Sequence, residues 1–147
     1  MCTVVIDSRE QTPFVFPDAV QTCRGTLQSG DYSIRGLEHL FSVERKSIAD
    51  LVASVTWERD RFERELHRLR GFRFKRLVIV GSRAEVESGA YRSKANPKAV
   101  IASLETFEVR YDIPIAWAID SAAGGLLVAK WAHRFAREII RAADQLK

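Results

Sequence analysis

Four apolar residues follow one another at Leu77-Val78-Ile79-Val80, and a strand turns successive side chains to opposite faces of its sheet. A strand of that composition has no face to give to water. Layers must therefore cover the sheet on both sides, as helices do in an α/β domain. The remaining chain supplies such helices. After Ser47, a residue suited to cap a helix, Ile48, Leu51, Val52 and Val55 recur at i, i+3, i+4 and i+7, which lines one helix face with apolar groups. The stripe resumes at Phe62, Leu66 and Leu69 beyond a polar interval around Trp57, and Gly71 ends it. Asn96-Pro97 opens another helix carrying Val100, Ile101, Leu104 and Phe107. From about Gly125 a long helix aligns Leu127, Trp131, Phe135, Ile139, Ala143 and Leu146. Strands are expected at Thr3 to Asp7, at Asp31 to Arg35, at Leu40 to Lys46 returning antiparallel around Gly36, and at Ile113 to Ile119. Gln11 to Gln28 and Gly81 to Ala95 read as loops. The order β, ββ, α, β, α, β, α describes a three-layer α/β domain.

With 147 residues, 46% of them apolar, and a net charge of +4, the chain is expected to form one domain, and a disordered state is excluded. No basic-then-apolar leader opens it, and the apolar stretch Ile113 to Ala129 is broken by Pro114, Asp120 and Gly124-Gly125, so neither a signal peptide nor a membrane span is expected. Cys2 and Cys23 form no CxxC pair, which fits two inert thiols in a reducing compartment. The expected location is the cytoplasm, at the nucleoid if the source is bacterial. His39, His67 and His133 lack zinc-ligand spacing, and no GxSxG or P-loop gives acyl transfer or nucleotide hydrolysis a foothold. Between Thr56 and Arg76 eight basic residues stand among four acidic ones. Such a run serves either as a solvated face laced with ion pairs or as a phosphate-backbone surface. Arg59 and Arg61 near the helix break, and Arg92 and Lys94 before Asn96, are the candidate phosphate contacts. Trp57 has two readings, packing or stacking on a base.

In Val43-Glu44-Arg45-Lys46 the alternation of a strand sends Glu44 and Lys46 to one face and Arg45 to the other. If the preceding strand is the hairpin partner, Asp31 reaches the Glu44 end and two carboxylates meet a lysine. Hard oxygen ligands in that number suit Mg²⁺, which completes its shell with water and substrate phosphate. An ion so held polarises a phosphoryl oxygen and acidifies a bound water. Taken singly, a Glu-Arg-Lys triplet is ordinary surface charge and Gly-Asp an ordinary turn. Here Gly30-Asp31 is followed by 12 residues, then Glu44-Arg45-Lys46, then three residues and Asp50, a run of the form GD…ERKxxxD.

That run resembles the signature of the XPF-type structure-specific endonucleases, a branch of the restriction-endonuclease-like fold. The likeness extends to VVIDSRE near the start, with Asp7, Arg9 and Glu10, to GDYSI, to VERKSIADLVASV, and to LVIVG and NPKAVIASLETF. The resemblance implies a central mixed sheet flanked by helices, and one nuclease domain over residues 1–147 with no helicase or helix-hairpin-helix domain attached. It implies Asp31 and Glu44 as main metal ligands with Asp7 at the metal or its water shell, and Lys46 serving the attacking water. It also places Arg45 and Asp50 in the catalytic motif and Arg9 toward DNA. On geometry alone Arg45 reads as a buried ion-pair residue, and Asp50 as an acid favouring a helix N-terminus. The activity implied is Mg²⁺-dependent DNA endonuclease action, with Mn²⁺ able to substitute, at branched or single-strand/duplex junctions, leaving a 5′-phosphate. The alternative is a non-catalytic nuclease-like subunit that binds DNA and positions an active partner. Intact acidic and lysine positions favour activity. Partners implied are forked or branched DNA, a second copy of the chain and a further DNA-binding or recruiting protein. For the last helix, whose apolar surface is broad, docking on the sheet competes with dimerisation.

Overall fold

The computed structural model describes residues 2–147. Six strands form one mixed sheet in the order β2-β1-β3-β4-β5-β6. The strands are β1 (Thr3–Asp7), β2 (Gln21–Gly25), β3 (Tyr32–Ile34), β4 (Phe41–Ser47), β5 (Phe74–Val80) and β6 (Ile115–Ala118). β3 lies antiparallel to both β1 and β4, while β2 follows β1 in parallel and β4, β5 and β6 run parallel to one another. The helices are α1 (Ile48–Val55), α2 (Arg59–Leu69), α3 (Arg83–Glu87), α4 (Pro97–Tyr111) and α5 (Ser121–Asp144).

As the apolar run required, β5 is covered twice. Leu77 and Ile79 enter a core with α1, α2 and α4, while Val78 enters the opposite core with Phe41, Val43, Ala118 and Val128. The expected three-layer arrangement with a mixed sheet is therefore the observed one. Caps fall where the sequence places them. Ser47 Oγ accepts from the Asp50 N–H at 3.1 Å, and Asn96 Oδ1 accepts from the Lys98 N–H at 2.9 Å. Each satisfies an N–H that the first helical turn leaves without a partner.

Three boundaries depart from the sequence reading. β2 lies within the Gln11 to Gln28 stretch expected to be loop. It is an edge strand with exposed Gln21, Thr22 and Arg24, so no alternation of apolar residues announces it. α3 lies in the other expected loop, closed by a capping box between Ser82 and Glu85. α5 begins at Ser121, with Asp120 Oδ1 accepting from the Ala123 N–H at 2.8 Å, rather than near Gly125. Gly124 and Gly125 are buried in its first turns, where a Cβ would run into the Phe14 ring and the Val15 carbonyl oxygen respectively. The pair admits a loop against the helix instead of turning the chain.

Candidate active site

Gly30 sets the first acid. Its φ of +79° lies in the region glycine alone enters freely, and a Cβ there would collide with Ser42 Oγ. This bend delivers Asp31 to the start of β3, where its N–H donates to the Val43 carbonyl at 2.8 Å and its Oδ2 accepts from the Arg45 N–H at 2.7 Å. The Asp31 carboxyl thus lies across β4 within hydrogen-bond reach of Glu44. Alternation along β4 holds as the sequence requires. Glu44 and Lys46 share one face, with Lys46 Nζ 3.8 Å from Glu44 Oε2. The Lys46 ammonium also sits over the Phe62 ring of α2, 4.9 Å from its centroid.

A third acid joins the pair. Glu65 of α2 faces the Glu44 side chain, and its negative charge raises the proton affinity of Glu44. Sequence reasoning missed it, because Glu65 is one charge among many on a polar helix. Its signal was positional: it precedes Leu66 and follows Phe62 by three, at the margin of the helix's inward stripe. Burial pushes the Glu44 carboxyl well above its ordinary range, and the negative charges of Asp31 and Glu65 push further in the same direction. Burial likewise moves Asp31 up to about 6, with the hydrogen bond from Arg45 N–H opposing it. Asp31 and Glu44, beside one ammonium, thus bind their protons more tightly than free carboxyls do, and a cation would compete for the same oxygens.

The same protons make stability depend on pH. A carboxyl whose folded pKa exceeds its unfolded value binds its proton more tightly in the folded state. Its contribution is therefore fully present below the unfolded value of 3.8 and is lost as pH rises through about 6. With a chelator present, the melting temperature of the wild type should fall relative to that of Asp31→Asn between about pH 4 and pH 7. Parallel curves for the two proteins would refute the linkage.

The other sequence candidates divide. Asp7 ends β1 next to Asp31, whose carbonyl accepts from the Asp7 N–H at 2.9 Å. Its carboxylate is occupied, however, by Arg9 Nε at 3.0 Å and by the Leu27 N–H at 3.0 Å. Burial pushes this carboxyl up, and those hydrogen bonds together with the Arg9 charge outweigh it, holding Asp7 below the usual carboxylate range. The Arg9 side chain is 68% exposed beyond that pairing and also donates to the Leu27 carbonyl. Among the described residues no group of three or more His, Cys, Asp or Glu side chains is placed to hold a metal ion. The oxygen donors brought together are Asp31 and Glu44, with Glu65 behind them, a set suited to a hard divalent ion that keeps several waters.

Arg45 points to the opposite face, as alternation demands. Its Nε is 3.4 Å from Glu10 Oε2, its Nη2 donates to Thr12 Oγ1 at 2.7 Å, and its guanidinium lies over the Phe14 ring. Asp50 is exposed in the first turn of α1. Arg59 pairs with Glu63 at 3.1 Å, donates to Ser103 Oγ at 2.8 Å and covers the Phe107 ring, so it ties α2 to α4. Glu63 receives Arg110 and the Tyr111 hydroxyl as well, each at 2.6 Å. Arg61 is exposed and paired with Glu58 at 3.0 Å, while the loop after α3 carries Arg92 and Lys94.

The ERCC4 domain family matches residues 6–130, which is most of the chain. The chain belongs to the ERCC4-domain family. This ERCC4 domain is an XPF-type nuclease domain with the restriction-endonuclease-like fold. It is similar to the solved structure of XPF from Aeropyrum pernix, with a TM-score of 0.71 and 21% identity over 89% of this chain and 60% of that one. A second structure of that protein, in complex with DNA, superposes with a TM-score of 0.72 and 22% identity over 94% of this chain and 66% of the other. The ERCC4 domain thus spans about two thirds or less of the relatives it matches. No curated protein sequence matches it significantly.

Proposed function

We propose that this domain is a metal-dependent DNA endonuclease that cuts phosphodiester bonds at branched or single-strand/duplex junctions and leaves a 5′-phosphate. The observation that carries the reading is the Asp31–Glu44 carboxyl pair, held beside Lys46 with its protons bound more tightly than usual. Asp31 and Glu44 would hold the divalent ion, Mg²⁺ or in its place Mn²⁺, which when bound supplies Lewis-acid polarisation of the phosphoryl group and a more acidic water. Lys46, fixed by Glu44 and the Phe62 ring, orients the attacking water and offsets charge in the transition state. Glu65 of α2 stands behind Glu44, where its negative charge favours a cation at the carboxyl pair. Asp7 keeps Arg9 at the edge of the site, where the guanidinium meets a phosphate. The DNA-bound structure of the A. pernix relative supports DNA as the substrate class.

Purified protein incubated with flap or forked DNA and Mg²⁺ or Mn²⁺ should nick it, and EDTA should abolish the nicks. Binding that weakens steeply with salt but never leads to cutting would favour a non-catalytic subunit instead.

A further inference from the structure

Trp57 decides between its two sequence readings by being 73% exposed. The α1 residues that precede it are buried, Val52 at 1% and Val55 at 7%, so this indole lies outside the core that its neighbours build. It borders a groove of about 570 Å³ lined by Ile48, Ala49, Val52, Tyr91 and Arg92. That volume lies inside the range of roughly 300–1,000 Å³ typical of small-ligand sites. The groove is placed by the same chain that builds the active site, since Ile48 follows Lys46 by two residues at the end of β4. Its far wall is the loop after α3, which presents Arg92 and, just beyond, Lys94. Among the described residues neither cation has an ion-pair partner, whereas Arg59, Arg61 and Arg83 all do.

We infer that this groove takes an unstacked nucleobase of a single-stranded segment adjoining the scissile phosphate. The reading rests on the nuclease function proposed above. Trp57 offers an exposed aromatic face to the base, beside Tyr91, whose ring packs on the core and whose hydroxyl donates to the Ala95 carbonyl at 2.7 Å. Every base can use such a face because each has a π-face, so the groove is tolerant of sequence. Arg92 and Lys94 carry the charge that the flanking phosphates require. An apolar protein segment would use the indole but would leave these two cations without a counterpart. The internal bases of a stacked duplex cannot enter, because neither of their faces is free. The groove thereby gives the domain its own means of preferring a boundary between paired and unpaired DNA.

The test is equilibrium binding in EDTA, so that nothing is cut, to three DNAs: a blunt duplex, the same duplex with a single-stranded overhang, and the same overhang made abasic. Wild type should bind the base-bearing overhang about tenfold more tightly than the abasic one, which has equal charge. Trp57→Ala should erase that difference while leaving duplex affinity unchanged, and Trp57→Phe should keep most of it. Equal binding of the two overhangs by wild type, or an undiminished difference in Trp57→Ala, would overturn the inference. So would a change in the sedimentation of DNA-free Trp57→Ala, because the groove would then cover protein. Cleavage of forked DNA in Mg²⁺ separates the two failures. A wild type that cuts but ignores bases refutes the groove alone, and one that neither binds nor cuts DNA refutes both readings.

Discussion

Asp31→Asn and Glu44→Gln should each slow DNA cleavage by about a thousandfold or more while leaving the fold intact or more stable. A bound divalent ion supplies several kcal/mol of transition-state stabilisation, and each 1.4 kcal/mol is a factor of ten in rate. Neutral amides keep the size and much of the hydrogen bonding of the acids. In Asp31→Asn the amide oxygen would still accept from the Arg45 N–H, which Asp31 Oδ2 now receives at 2.7 Å. Either change replaces a buried carboxyl, which must stay charged among like charges or keep a proton, by a neutral amide in a cluster where Asp31 and Glu65 raise the proton affinity of Glu44. A gain of about 1 kcal/mol, or about 2–4 °C in Tm for a domain of this size, is expected at neutral pH without metal. Single-turnover cleavage and thermal melting measured on the same preparations check both halves. Lost cleavage accompanied by a large fall in Tm would mean that the carboxyls serve the fold rather than the chemistry. Normal cleavage by either variant would end the proposed mechanism.

Arg45→Ala should do the reverse, lowering stability by about 2–3 kcal/mol while sparing much of the chemistry. The guanidinium is 16% exposed and its partner Glu10 11% exposed, and removing one member of a buried pair leaves the other charged and unpaired. The contacts to Thr12 and Phe14 go with it. The loss corresponds to a fall of about 6–10 °C in Tm. Arg45→Lys keeps the charge but cannot reproduce the planar fork or its stacking, so an intermediate loss is expected. Cleavage assayed at a temperature where the alanine variant is fully folded should stay within about tenfold of wild type, since the side chain faces away from Glu44. A folded but inert variant would place Arg45 in the reaction.

What was legible in the sequence follows from periodicity. The double covering of β5, the stripe Ile48, Leu51, Val52, Val55 and the caps at Ser47 and Asn96 are each where the residues put them. The same is true of the Glu44 and Lys46 side chains, because alternation on a strand leaves no freedom. The meeting of Asp31 with Glu44 depended on the β3–β4 hairpin pairing, which the turn at Gly36 signalled. Illegible features lacked a local pattern. β2 is polar and lies at the edge, paired only with β1 some 18 residues away, so its strand character comes from the partner. Glu65 reaches Glu44 through the docking of α2 on the sheet, which no spacing within α2 reveals. Gly124-Gly125 misled because the usual meaning of the pair, a break, is overridden by the close approach of Phe14 and Val15. Arg59, a candidate phosphate contact in the sequence, also pairs with Glu63, donates to Ser103 and covers the Phe107 ring, contacts that no spacing within α2 announces.

The two faces of β4 also bind architecture to reactivity. Phe41, Val43 and Arg45 serve one layer, and Ser42, Glu44 and Lys46 the other. A slip of one residue in this ribbon would invert every assignment at once. A guanidinium would arrive where an anion is wanted, the acid and amine would be driven against Phe14, and Phe41 and Val43 would be stranded among charges. A misregistered chain therefore loses its core and its acid pair together, and any insertion in the turn of this ribbon is tolerable only if it preserves parity.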